Sequence, residues 1–125
     1  MSLLIDTQIL LWWLSDDKKL SQTSRNLIAT SETVSVSIAS LWEIVIKESI
    51  GKLTVDLVAM FDFIPTSGFN TYPIQPNHLL TLSSLPHHHR DPFDRVIISQ
   101  ALSDRLTIVT SDHAFDQYKV PVVFN

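Results

Sequence analysis

The feature that most constrains this chain is the repeated exchange of one hydrophobic period for another. Thr33-Val34-Ser35-Val36-Ser37-Ile38 alternates small polar with β-branched residues, the period of two that marks a strand. Directly afterwards Leu41, Trp42, Val45, Ile46 and Ile50 recur at spacings of three and four, which predicts a helix over 39–50 closed by Gly51 at its C′ position. Strands that feed straight into helices imply a parallel sheet, because right-handed crossovers lay each helix back against the sheet.

The same exchange recurs along the chain. Leu3-Leu4-Ile5 is a short apolar strand ending at Asp6, and Thr7 can cap a helix through residue 13 or 14. Ser21 can cap a second helix, with Leu27 and Ile28 near its end. Residues 57–64 read as a helix stopped by Pro65, 71–74 as a short strand and 77–82 as one more helix. Asp91 as N-cap and Pro92 at the first helical position open a helix to about Arg105. Residues 107–110 then read as a strand, 114–118 as a short helical segment and 120–124 as a closing strand. The expectation is a three-layer α/β/α sandwich around a mostly parallel sheet of about five strands, with residues 1–125 forming one domain.

Composition narrows the functions available. A hydrophobic content of 45% supplies a real core, and two glycines and six prolines leave no segment that reads as a linker. The absence of cysteine excludes disulfides, thiolate zinc sites and cysteine nucleophiles, and fits a reducing cytoplasm. No basic stretch precedes Leu3-Leu4-Ile5 and Asp6 interrupts the apolar run, so neither a signal peptide nor a membrane span is expected. A net charge of −4 argues against loose coating of nucleic acid, which needs Lys and Arg on phosphates. Chemistry on nucleic acid would have to be local and metal-assisted.

Four acids stand at strand ends or in the first halves of helices: Asp6, Glu43, Asp94 and Asp112. Each has an ordinary explanation. Asp6 can simply cap the helix that follows it, Asp112 can be a turn or cap residue, Asp94 suits the dipole at a helix start, and Glu43 can pair with Lys47 one turn on. Together they carry more weight, because the expected topology directs all four to one sheet edge. Carboxylates gathered there repel one another unless a cation sits among them, and oxygen ligands without Cys suit Mg²⁺ or Mn²⁺. Such an ion keeps waters that can attack a phosphodiester.

The motifs Leu4-Ile5-Asp6-Thr7, Ala39-Ser40-Leu41-Trp42-Glu43-Ile44 with Lys47, His88-His89-Arg90-Asp91-Pro92-Phe93-Asp94-Arg95, and Ile108-Val109-Thr110-Ser111-Asp112 together resemble a PIN domain. The likeness is strongest to the VapC-type toxins of prokaryotic toxin–antitoxin pairs and runs from about residue 3 to 124. It implies a five-stranded α/β/α fold that cleaves RNA with Mg²⁺ or Mn²⁺, acts as a homodimer and is held inactive by a cognate antitoxin. By the same resemblance Asp6, Glu43, Asp94 and Asp112 are the metal-binding acids and Thr110, with Thr7, supports them. Asp116, one turn beyond Asp112, and Asp91 are further candidates.

Lys47, Lys52, Arg90 and Arg95 flank the acids and are candidates to contact RNA phosphates, each with the alternative of an ordinary surface charge. His87-His88-His89 reads as a polar loop at the rim, since consecutive loop residues diverge too far to chelate one ion. Of Trp12 and Trp13, adjacent on one helix, one is expected inside and the other at the surface. A phosphoacceptor signalling domain is the rival reading. It would need an acidic pair after the first strand and a Lys after the last, whereas Asp6 has no acidic neighbour and Lys119 precedes the final Val-Pro-Val segment.

Overall fold

The computed structural model describes residues 1–125, and its centre is the run Leu3, Leu4 and Ile5, all wholly buried. They belong to β1 (Ser2–Ile5), which pairs in parallel with β2 (Thr33–Ser37) on one side and β4 (Thr107–Thr110) on the other. β3 (Asn70–Tyr72) and β5 (Val122–Phe124) add outside these, giving a five-stranded sheet of order β3-β2-β1-β4-β5 with every pairing parallel. Strand order therefore reverses at β1, and the gap between the ends of β1 and β4 is the switch point where such sheets bind ligands.

Side chains alternate across the sheet and divide the core in two. Leu3 and Ile5 point to one face and join Val36, Ile9 and Leu10 of α1 (Thr7–Ser15), Ile28 of α2 (Gln22–Thr30), Leu41 and Ile44 of α3 (Ile38–Ser49), and Ile64 of α4 (Leu57–Thr66). Leu4 points the other way and meets Ile97, Ile98 and Ala101 of α6 (Pro92–Asp104), with Phe115 of the 3₁₀ turn His113–Gln117. α5 (Pro76–Ser83) packs along α6. The expected three-layer arrangement is what forms. No helix is long and apolar enough to cross a membrane.

Local chemistry explains most boundaries. Ser21 and Asp91 cap their helices as the sequence predicts, Ser21 Oγ taking the Ser24 N–H and Asp91 Oδ1 those of Phe93 and Asp94. Gly51 follows α3 with φ of 77°, a left-handed geometry that glycine adopts without strain. Pro65 is a correction: α4 runs through it to Thr66, because a proline in the last turn removes only one terminal hydrogen bond and its fixed φ is already helical. β5 starts later than expected, since Pro121 lies ahead of the ladder and offers only its carbonyl, to the Ile108 N–H. β3 lies slightly earlier than residues 71–74. Both Trp12 and Trp13 are half-buried, so the expected division into one inside and one outside fails; Trp13 rests on Phe69 with ring centroids 5.4 Å apart.

Candidate active site at the carboxyl edge of the sheet

Asp6 leaves β1 and enters α1, so one carboxylate serves two elements. Its Oδ1 accepts the Ile9 N–H at 2.9 Å as helix cap, and its Oδ2 accepts the hydroxyl of Thr110 at the end of β4. Thr110 Oγ1 in turn accepts the Asp112 N–H at 3.0 Å, tying the loop after β4 to the end of β1 across the switch point. Asp112 is exposed and caps the 3₁₀ turn through Ala114 N–H. The capping explanations for Asp6 and Asp112 are therefore correct as far as they go, and both acids also line the cavity at this edge.

Glu43 is buried within α3, which an acid tolerates only with partners. It has two: Thr7 donates to Oε1 at 2.7 Å and Lys47 to Oε2 at 2.8 Å. Asp94, on the first turn of α6, lies near His89, whose Nε2 stands 3.4 Å from Oδ2. Asp6, Glu43, Asp91, Asp94 and Asp112 all line one cavity of about 440 Å³, with Lys47 and Lys52 also on its walls. As placed, no three of the molecule's His, Asp or Glu side chains are close enough to form a ready-made metal cage.

The electrostatics follow from crowding. Burial, and then the neighbouring carboxylates of Asp91, Asp6, Glu43 and Asp112, push Asp94 up to about 8. Burial raises Asp6 to about 6, against the lowering effect of the Thr110 and Ile9 hydrogen bonds. Lys47 is raised by its hydrogen bond to Glu43. The donor set is oxygen-rich and negatively charged, which suits a hard divalent cation such as Mg²⁺ or Mn²⁺.

Other candidates fall elsewhere. Asp116 is exposed and outside the cavity lining. Arg95 is a correction: it is buried, and its guanidinium donates to the carbonyls of Pro86 and Leu85 and to Tyr118, so it braces the loop before α6 instead of reaching for phosphate. Arg90 is exposed but lines a neighbouring cleft. His87 and His88 are exposed as expected, whereas His89 is drawn in against Tyr118 at 2.7 Å. Lys119 precedes β5, is exposed and lies outside the cavity, so it does not supply the lysine that the phosphoacceptor reading requires. Gln8 and Leu11 share the wall with Thr7 and are not among the residues the sequence singles out; their spacing on α1 is the signal that could have found them.

Fold and cavity define an α/β protein with a carboxylate-lined cleft at its switch point. Residues 3–121 match the PIN domain family, and the chain belongs to it. No curated protein matches it by sequence. Among solved structures its fold is similar to VapBC2 from Rickettsia felis bound to a promoter DNA fragment, with TM-score 0.79 and 16% identity over 99% of this chain and 98% of that one. DNA-bound VapBC from Salmonella typhimurium gives 0.75 and 12%, over 99% and 98%. VapC20 of Mycobacterium tuberculosis, described as a toxin that cleaves the sarcin-ricin loop, gives 0.62 and 12%, over 86% and 87%. At these identities the likeness is one of fold.

Proposed function

We propose that the chain is a metal-dependent endoribonuclease and the toxin of a toxin–antitoxin pair, acting in the cytoplasm. The observation that carries this reading is the set of four carboxylates, from the ends of β1 and β4 and from α3 and α6, that line one cavity at the switch point. Asp6, Glu43, Asp94 and Asp112 would hold Mg²⁺ or Mn²⁺. When bound, the ion supplies a more acidic water as nucleophile and neutralises charge on the phosphoryl oxygens. Thr110 and Thr7 fix Asp6 and Glu43 by donating to them, which preserves their orientation. Lys47 and Lys52 on the wall give the entering phosphate a cationic contact.

An antitoxin partner is supported by the shape of the surface. The acidic cavity shares Gln8, Leu11 and Leu53 with a second cleft, which shares Leu14 and Val55 with a third beside Met60 and Phe63. A continuous apolar groove thus leads to the acids, and an amphipathic segment lying in it would place a cationic side chain among them. A homodimer completes the reading, and exposed Leu79 and Leu80 on α5 offer it a surface.

RNA cleavage by the Asp6→Asn and Asp94→Asn variants tests the chemistry. Each should lose roughly a thousand-fold in rate with Mn²⁺, and wild-type activity should vanish in EDTA; unchanged rates would remove these residues from the mechanism. Expression alone should arrest growth and co-expression of an adjacent small gene relieve it. Cleavage without toxicity favours an RNA-processing nuclease of the same family.

A further inference from the structure

Beside the acidic cavity lies a cleft of about 520 Å³ with a different chemistry, within the size range of small-ligand sites. Its apolar lining includes Leu82 of α5 and Val96 of α6 together with Trp42 of α3 and Phe93 of α6, and the last two rings meet edge to face with centroids 5.2 Å apart, while Trp42 stays 57% exposed. Its polar part has no carboxylate: Ser83, His87, His89 and Arg90, with Arg95 behind them already engaged by the Leu85 and Pro86 carbonyls and Tyr118. The molecule's ion pairs engage other residues and leave Arg90 unpaired.

The cleft and the acidic cavity are lined by sequence neighbours. On α3 Trp42 faces the cleft and Glu43 the acids; at the start of α6 Arg90, Pro92 and Phe93 line the cleft while Asp91 and Asp94 line the cavity. His89 lies at the boundary, lining the cleft with its Nε2 3.4 Å from Asp94 Oδ2. A strand crossing this boundary would meet the acids on one side and the aromatic cleft on the other.

We propose that this cleft is a subsite for an unpaired nucleotide of single-stranded RNA, stacking its base on Trp42 against Phe93 and drawing the adjoining phosphate to Arg90. The proposal rests on the ribonuclease reading above and names how that site selects its substrate. Aromatic faces accept any base, and cations beside them track the backbone, which is the chemistry of single-strand recognition. The rival occupant is a second copy of the chain, since Trp42 stands in an exposed row with Ile38, Ile46 and Ile50. An isologous pairing centred on the cleft would bring the arginines of both copies together with no carboxylate of the lining to balance them.

Steady-state cleavage of a short fluorescein-labelled single-stranded RNA, with Mn²⁺ and the full chain, tests the subsite. Trp42→Ala should raise KM by roughly tenfold with kcat within about twofold, and Arg90→Ala should raise KM by about threefold with a shallower salt dependence. Both residues are exposed, so folding should survive, and circular dichroism checks it. A Trp42→Ala KM equal to wild type overturns the subsite while wild-type cleavage leaves the nuclease reading standing. A drop in mass by sedimentation with Trp42→Ala gives the face to a second copy and also overturns it. If the wild type cuts no RNA, both readings fall together.

Discussion

Asp94 and Asp104 stand at opposite ends of α6, and the fold treats them in opposite ways. The helix dipole would favour charge on Asp94, near the N-terminus, and oppose it on Asp104, the last helical residue. The reverse is found: Asp94 is pushed up to about 8, whereas Asp104 is held below the usual carboxylate value. Burial raises both, and their neighbours decide the outcome. Asp104 receives hydrogen bonds from the Tyr72 hydroxyl, from His78 Nε2 at 2.7 Å and from Asn77 Nδ2 at 3.1 Å. Because His78 Nδ1 accepts the Gln75 N–H, its proton lies on Nε2 and points at Asp104. Asp94 faces four carboxylates instead. One end of the helix satisfies its acid from within the chain; the other gathers acids whose natural partner is a cation.

Exchanging amides or alanine for these acids should separate the two roles. The largest effect is on catalysis: the thousand-fold loss expected of Asp94→Asn should have no counterpart in Asp104→Ala, whose kcat/KM should stay within about twofold of wild type where it is folded. The next is on stability. Asp104→Ala leaves the buried His78 N–H without its acceptor and should cost roughly 2 kcal/mol, read from urea unfolding. An Asp104→Ala chain as stable as wild type would show that the cluster is not the clamp described.

The smallest effect is the pH dependence of stability without metal. Asp6 and Asp94 bind protons more tightly folded than unfolded, so their contribution favours folding at low pH. That contribution is lost as pH rises, through about 6 for Asp6 and about 8 for Asp94. In EDTA the melting temperature should therefore decline across this window, and Asp94→Asn should flatten the decline by a few degrees. A decline unchanged in Asp94→Asn would break the link to this residue.

Much of this arrangement was legible in the sequence, for local reasons. The change of period at Ser37 and Ile38, the caps at Ser21 and Asp91 and the glycine after α3 are all short-range signals, and they place the acids on the right elements. What escaped depends on distant neighbours. Nothing near Arg95 says that the Leu85 and Pro86 carbonyls will take its guanidinium, or that Tyr118 will hold His89 beside Asp94. Pro65 ends no helix because in the last turn of α4 it removes only one terminal hydrogen bond, and which turn is the last is not marked by the proline itself. The two tryptophans share burial because the core cluster reaches around α1 on both sides.

The most direct test is thermal unfolding at about pH 8 with and without Mn²⁺, on wild type, Asp94→Asn and Asp104→Ala. A ligand that binds only the native state raises its melting temperature. Mn²⁺ should stabilise wild type and Asp104→Ala alike and lose most of that effect in Asp94→Asn. Equal stabilisation of Asp94→Asn, or none of wild type, would contradict a cation held by these acids.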